Sequence, residues 1–155
     1  MRGHAASWSG ELCTDWFGHI VGDEFAVQGN MLVGEPTVSA MADAYREVPT
    51  HALAERLLCA MEAGQAAGGD KRGRQSDSLI VYDAEDYPLV DLRVDEHPDP
   101  VAELRRVHGI ARLQLMPFVA SMRKKSGAAA PPDPEVVRML LEPPPRRPGG
   151  GGSAP

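Results

Sequence analysis

The stretch Gly68-Gly69-Asp70-Lys71-Arg72-Gly73-Arg74-Gln75 concentrates groups suited to holding a small ligand: three glycines, three cations, one carboxylate and one amide in succession. Glycine permits positive φ and close backbone approach. Arg and Gln present donors that match a carboxylate, phosphate or amide. A solvated turn, needing glycine only to reverse direction, fits the same composition. A nucleotide-type phosphate cradle is excluded, because the Gly-x-x-x-x-Gly-Lys-Ser/Thr spacing is missing. The stretch also leads into the apolar run Leu79-Ile80-Val81-Tyr82, a strand pattern with no helix dipole to offer an anion.

A second polar set lies downstream. Alternation over residues 89–95 puts Val90, Leu92 and Val94 on one face and Asp91, Arg93 and Asp95 on the other. His97-Pro98-Asp99-Pro100 then breaks the strand. The charged face is either a cleft wall or a solvated surface whose charges pair locally. Upstream, Asn30 follows a turn glycine and offers its amide to an oxyanion, while His19, close to Trp16 and Phe17, is a general base or a packed histidine. Cys13 and Cys59 lack CxxC spacing, so neither a disulfide framework nor a zinc site is expected. Both read as small buried side chains. No metal or cofactor is expected.

The elements that must position these groups follow from periodicity. Strands are expected at residues 4–8 and 25–28, the second closed by Gly29-Asn30 in a positive-φ turn. A helix from Pro36 carries Val38, Met41, Tyr45 and Val48 on one face and ends at Pro49. Thr50 is expected to cap a second helix with the stripe Leu53, Leu57, Ala60 and Met61, stopped by Gly64. Residues 78–83 form a near-continuous apolar strand, expected to be buried on both faces. It pairs antiparallel with 89–95 across the short link at 84–88. Asp99 as N-cap and Pro100 at N1 open a third helix with Val101, Leu104, His108, Ala111 and Leu115 on one face, which Pro117 ends or kinks.

In the 155-residue chain, 22 Asp and Glu outnumber 16 Lys and Arg, which argues against a nucleic-acid binder. The last 33 residues hold six of the cations and three of the anions, so the acidity lies in the first 122. No apolar run reaches membrane-spanning length and no secretory signal pattern opens the chain, so no membrane association and a cytoplasmic location are expected. Thirteen of the last 29 residues are Pro or Gly. An ordered domain over 1–117 and a disordered tail over 118–155 are therefore expected, with one short helical turn near Val136–Leu141.

Four blocks carry a family resemblance: Phe25-Ala26-Val27-Gln28-Gly29-Asn30-Met31-Leu32, Ala54-Glu55-Arg56-Leu57-Leu58, Gly68 to Ser76, and Val90-Asp91-Leu92-Arg93-Val94-Asp95-Glu96-His97-Pro98. In this order, over roughly residues 3–108, they resemble a family of unknown function (number one-zero-two-eight) whose fold is similar to the N-terminal-nucleophile (Ntn) hydrolases. The resemblance implies an α+β fold, a portion of an αββα sandwich with antiparallel sheets and outer helices. It also implies that this is the C-terminal portion of a longer domain. In such hydrolases an N-terminal Thr or Ser attacks an amide carbonyl and its own α-amine is the base. Met1-Arg2-Gly3-His4 offers neither residue, and Ser7, Ser9 and Thr14 fall inside a strand and turn of the family pattern. The chain alone is therefore expected to lack the nucleophile and to be inactive, with no catalytic residue of its own. Asp77 also departs from the small apolar residue usual after Gln-Ser.

The resemblance places Asn30, Asp70, Arg72, Gln75, Asp91, Arg93, Asp95 and His97 near a cleft. There they would bind a small amide or carboxylate ligand, or else lock the hairpin to the loop. The expected function is amide or peptide hydrolysis by the longer protein, the alternative a non-enzymatic small-molecule or partner-binding module. The expected partner is the missing N-terminal half or a second copy of the chain.

Overall fold

The computed structural model describes residues 3–127 and 133–141. They form a mixed α+β arrangement with two small antiparallel sheets and divide into a unit up to Gly109 and a second from Ile110. In the first unit, β1 (Gly18–Gly22) and β2 (Phe25–Gly29) make a hairpin in the register Gly18↔Gly29 to Gly22↔Phe25. In its two-residue turn, Asp23-Glu24, the second residue takes φ 63. The strand expected at 4–8 is not formed, and the partner of β2 is the stretch containing His19. Glycines at both ends of β1 mask the strand pattern. After β2 the positive φ falls on Met31, at 56°, rather than on Gly29 or Asn30.

Helices α1 (Glu35–Glu47) and α2 (Leu53–Ala66) pack against each other, with α1 also on the first hairpin. Val38, Ala42 and Tyr45 face inward from α1, and Val38 and Ala42 join Val27 in a core flanked by Trp16, Ile20, Phe25, Leu32 and Met41. The start of α2 corrects the expected cap: Ala52 is the N-cap, and no side chain, Thr50 included, bonds the helix end there. The buried stripe is also rotated, running through Ala54, Leu58, Ala60 and Gly64, while Leu53 is 45% exposed. Gly64 does not stop the helix. It lies under Met41, whose Cγ would sit 2.6 Å from an added Cβ, so glycine here permits close helix approach.

The second hairpin joins β3 (Asp77–Val81) to β4 (Val90–Val94), antiparallel as expected, from Asp77↔Val94 to Val81↔Val90. Leu79, Val81, Val90, Leu92 and Val94 are buried, and α2 packs on β3. The two-face burial expected of residues 78–83 does not occur, since Ile80 and Tyr82 are 51% and 58% exposed. A two-stranded sheet has one covered face, so strand parity decides burial here rather than apolar content.

Helix α3 (Pro100–Gln114) follows, burying Leu104, His108 and Ala111 but not Leu115. Pro117 interrupts rather than ends the helical course. It lies in the first turn of α4 (Met116–Ser121), where its missing N–H costs nothing. In the second unit α5 (Pro134–Leu141) forms where the short turn is expected. The remainder of the expected disordered tail, 128–132 and 142–155, lies outside the described residues.

Candidate functional site

Two devices shape the glycine-rich stretch. Helix α2 closes in a Schellman arrangement: Gly69 N–H donates to Gly64 O at 3.0 Å and Gly68 N–H to Gln65 O at 3.2 Å, with Gly68 at φ 122 and Gly69 at φ 62. The chain then meets the segment after β2. Val33 N–H donates to Gly69 O at 3.0 Å and Lys71 N–H to Met31 O at 2.9 Å, flanking a single bridge between Leu32 and Asp70. The Lys71 ammonium donates to Asp15 O.

Asp70 next folds the loop on itself. Its Oδ1 accepts Arg72 N–H at 2.8 Å and Arg72 Nε at 2.9 Å, its Oδ2 accepts Arg72 Nη2 at 2.5 Å, and its carbonyl accepts Gly73 N–H at 3.1 Å. The Arg72 hydrogen bond holds the Asp70 carboxyl at about 2, below its ordinary 3.8. The far end of the loop is tied to the start of α3. Arg74 Nη1 lies 3.4 Å from Asp99 Oδ2, and His97 N–H donates to Gln75 O at 2.9 Å. His97 Nδ1 lies 3.0 Å from Asp99 N and 2.9 Å from Asp99 O, which holds the ring against the start of α3.

Between these ties opens a cleft of about 500 Å³ lined by Asp70, by the loop from Arg72 to Asp77, by Gln65 and by Pro100 and Val101 at the start of α3. Of the residues expected near a cleft, Asp70, Arg72 and Gln75 meet here. Asn30 is exposed beyond β2 and is not part of the lining. Asp91, Arg93 and Asp95 lie on the uncovered side of the second hairpin or just past it, with Arg93 Nη2 3.0 Å from Asp95 Oδ1. They too are outside the lining, and His97 contributes through its backbone tie to Gln75.

Sequence reasoning missed Arg74 and Asp77. Arg74 belongs to the same basic stretch. Asp77 shares strand parity with Leu79 and Val81, and that parity was the available signal. It turns Asp77 toward the covered face, where Oδ1 accepts Ser78 N–H at 2.9 Å and Oδ2 has no hydrogen-bond partner among the described residues. Burial pushes its carboxyl pKa up.

Elsewhere Ser9 Oγ lies 2.7 Å from His19 Nδ1, a nucleophile–base contact on an exposed surface. Among the described residues no carboxylate orients that ring, and neither residue lines the cleft. Cys13 and Cys59 are free and half-buried. Among the described residues no group of three or more His, Cys, Asp or Glu is placed to hold a metal ion, and no helix is long and apolar enough to cross a membrane.

These features define an α+β chain whose glycine-rich loop walls a polar cleft, and the comparisons with known proteins agree with that frame. The profile of the family of unknown function DUF1028 matches residues 1–104, and the chain belongs to that family. Among solved structures it is similar to the protein SPO2555 from Silicibacter pomeroyi, assigned to the same family, with 26% identity and a TM-score of 0.68. The likeness covers 79% of this chain and 52% of that one, so this chain spans about half the length of its structural relative. None of the curated proteins matches it.

Proposed function

We propose that this chain is one portion of an Ntn-hydrolase-like αββα sandwich, and that its own share of the function is to bind a small ligand bearing a carboxylate or an amide. The observation that carries the binding reading is the cleft itself, which gathers Asp70, Arg72 and Gln75 in one wall. A guanidinium and an amide in a partly enclosed space suit a carboxylate or amide. The sandwich reading is supported by the two hairpins with helices packed on them and by a structural relative of which the likeness covers only 52%.

Amide or peptide hydrolysis belongs, on this reading, to the longer protein, with the nucleophile supplied by the remaining half of the sandwich or by a partner chain that carries it. That assignment is fold analogy. The test is thermal stability of the full chain in the presence of acetate, acetamide and N-acetylglycine. At least one should raise Tm, and Gln75→Ala should remove the rise without changing the Tm of the free protein. Flat Tm values across all three probes at millimolar concentration would sink the reading.

A further inference from the structure

The charges around the cleft select among carboxylate and amide ligands. Arg72 and Arg74 share the lining with Asp70 and Asp77, so formal charges cancel, and Asp99 adds a further carboxylate just outside. Such a surface is a poor trap for a polyanion, whose charge would meet three acids at close range. The two guanidiniums are also unequally committed. Arg72 spends Nε and Nη2 on Asp70, at 2.9 and 2.5 Å. Arg74 touches Asp99 at 3.4 Å, longer than the 2.7–2.9 Å or so of a firm charge-assisted bond, and retains donors for a guest.

The same lining also holds an acceptor in need of a donor. Asp77 lines the cleft, and its Oδ2 is shielded from water with no hydrogen-bond partner among the described residues. Such an oxygen carries the full desolvation penalty until a donor reaches it. Burial correspondingly favours the protonated carboxyl, which an arriving cation would reverse.

We infer that the cleft takes a zwitterion of amino-acid or short-peptide type, its carboxylate on Arg74 and its ammonium on Asp77. This rests on the reading of the cleft as a ligand site and adds the ammonium to it. Gly73, also in the lining, has φ 116 and open space where a Cβ would project.

A matched pair of probes tests this in the full chain by isothermal titration. Glycyl-L-leucine carries carboxylate, amide and ammonium, whereas N-acetyl-L-leucine keeps the first two and lacks the third. The dipeptide should bind at least about tenfold tighter, the order of one charge-assisted contact. Asp77→Asn, which keeps the acceptor for Ser78 N–H, should erase that difference, and Arg74→Gln should weaken both probes. Inorganic phosphate at the same concentration should displace neither. Equal or tighter binding of N-acetyl-L-leucine, or a preference that survives Asp77→Asn, overturns the zwitterion assignment and leaves the carboxylate site standing. Absence of binding by both probes overturns the assignment and the site together.

Discussion

Asp70 grips Arg72 twice, once at the backbone N–H and once at the guanidinium, so a single carboxylate sets both the turn of the loop and the direction of its cation. One residue separates the partners, too few to brace the loop against the rest of the fold. That bracing comes from the Leu32–Asp70 bridge on one side and the Arg74–Asp99 pair on the other. The cleft wall is therefore shaped locally and anchored at both ends.

The pH dependence of this contact has a definite sign. Arg72 lowers the Asp70 value from 3.8 to about 2, so the ionised carboxylate favours the folded loop. Its contribution is fully present above the ordinary value and is lost as pH falls through the window from 3.8 toward 2. Carboxyl NMR titration should place Asp70 at the low end in the native chain and return it toward 3.8 in Arg72→Gln. A midpoint that stays low in the variant would assign the shift to the loop backbone instead.

Arg105 ties α3 to α2. Its Nε meets Glu62 at 2.7 Å and its Nη1 meets Glu55 at 2.5 Å, with Cys59 Sγ 3.8 Å from Nη2. Removing the cation leaves two carboxylates on one face of α2. Because all three side chains are 28–41% exposed, solvent screens part of the loss. Arg105→Met should cost about 1–2 kcal/mol in urea unfolding, and adding Glu55→Gln and Glu62→Gln should recover part of it. A single variant as stable as the parent would show the pairs to be surface decoration.

Gly68 is required by conformation and by space. At φ 122 an L side chain is strained, and its Cβ would stand 3.0 Å from Val33 Cβ. Gly68→Ala should destabilise the chain by about 1–2 kcal/mol or more. Gly73→Ala shares the positive φ without the crowding and should cost less. Urea midpoints of the two variants make the comparison, and the reverse order would contradict it.

Leu58 and Leu104 are both fully buried, at 0% exposure. Truncating either to Ala should lose about 2–5 kcal/mol, the cost of lost burial plus the cavity left behind. Leu53→Ala, on the exposed side of α2, should lose far less. Circular dichroism against urea would measure all three.

Much of this arrangement was legible in the sequence. Val90, Leu92 and Val94 alternate with charges, and the buried face of β4 follows that pattern residue by residue. Val38 and Tyr45 mark the inner face of α1 by spacing alone. The failures share a cause. Leu53 and Leu57 are as apolar as Leu58, so composition could not say which stripe of α2 meets a neighbour; that depends on α1 approaching over Gly64. Gly18 and Gly22 hid β1 because its identity lies in a partner strand. At the cleft, Asp70, Arg72 and Gln75 were readable as a local cluster. Asp77 required knowing which face of β3 is covered.

The seam joining Met31 and Val33 to Gly69 and Lys71 has a consequence for the order of assembly. Both hairpins and the α1–α2 pair link neighbours in sequence and close short loops. The seam must instead draw together the two ends of the whole helical hairpin, at a larger entropic cost that only those packed helices offset. Folding thus reaches the glycine-rich loop late, and local opening begins there. The Val33 and Lys71 amides should exchange with solvent sooner than those in the middle of α1, so the cleft is the part of the molecule that a ligand has most power to stabilise.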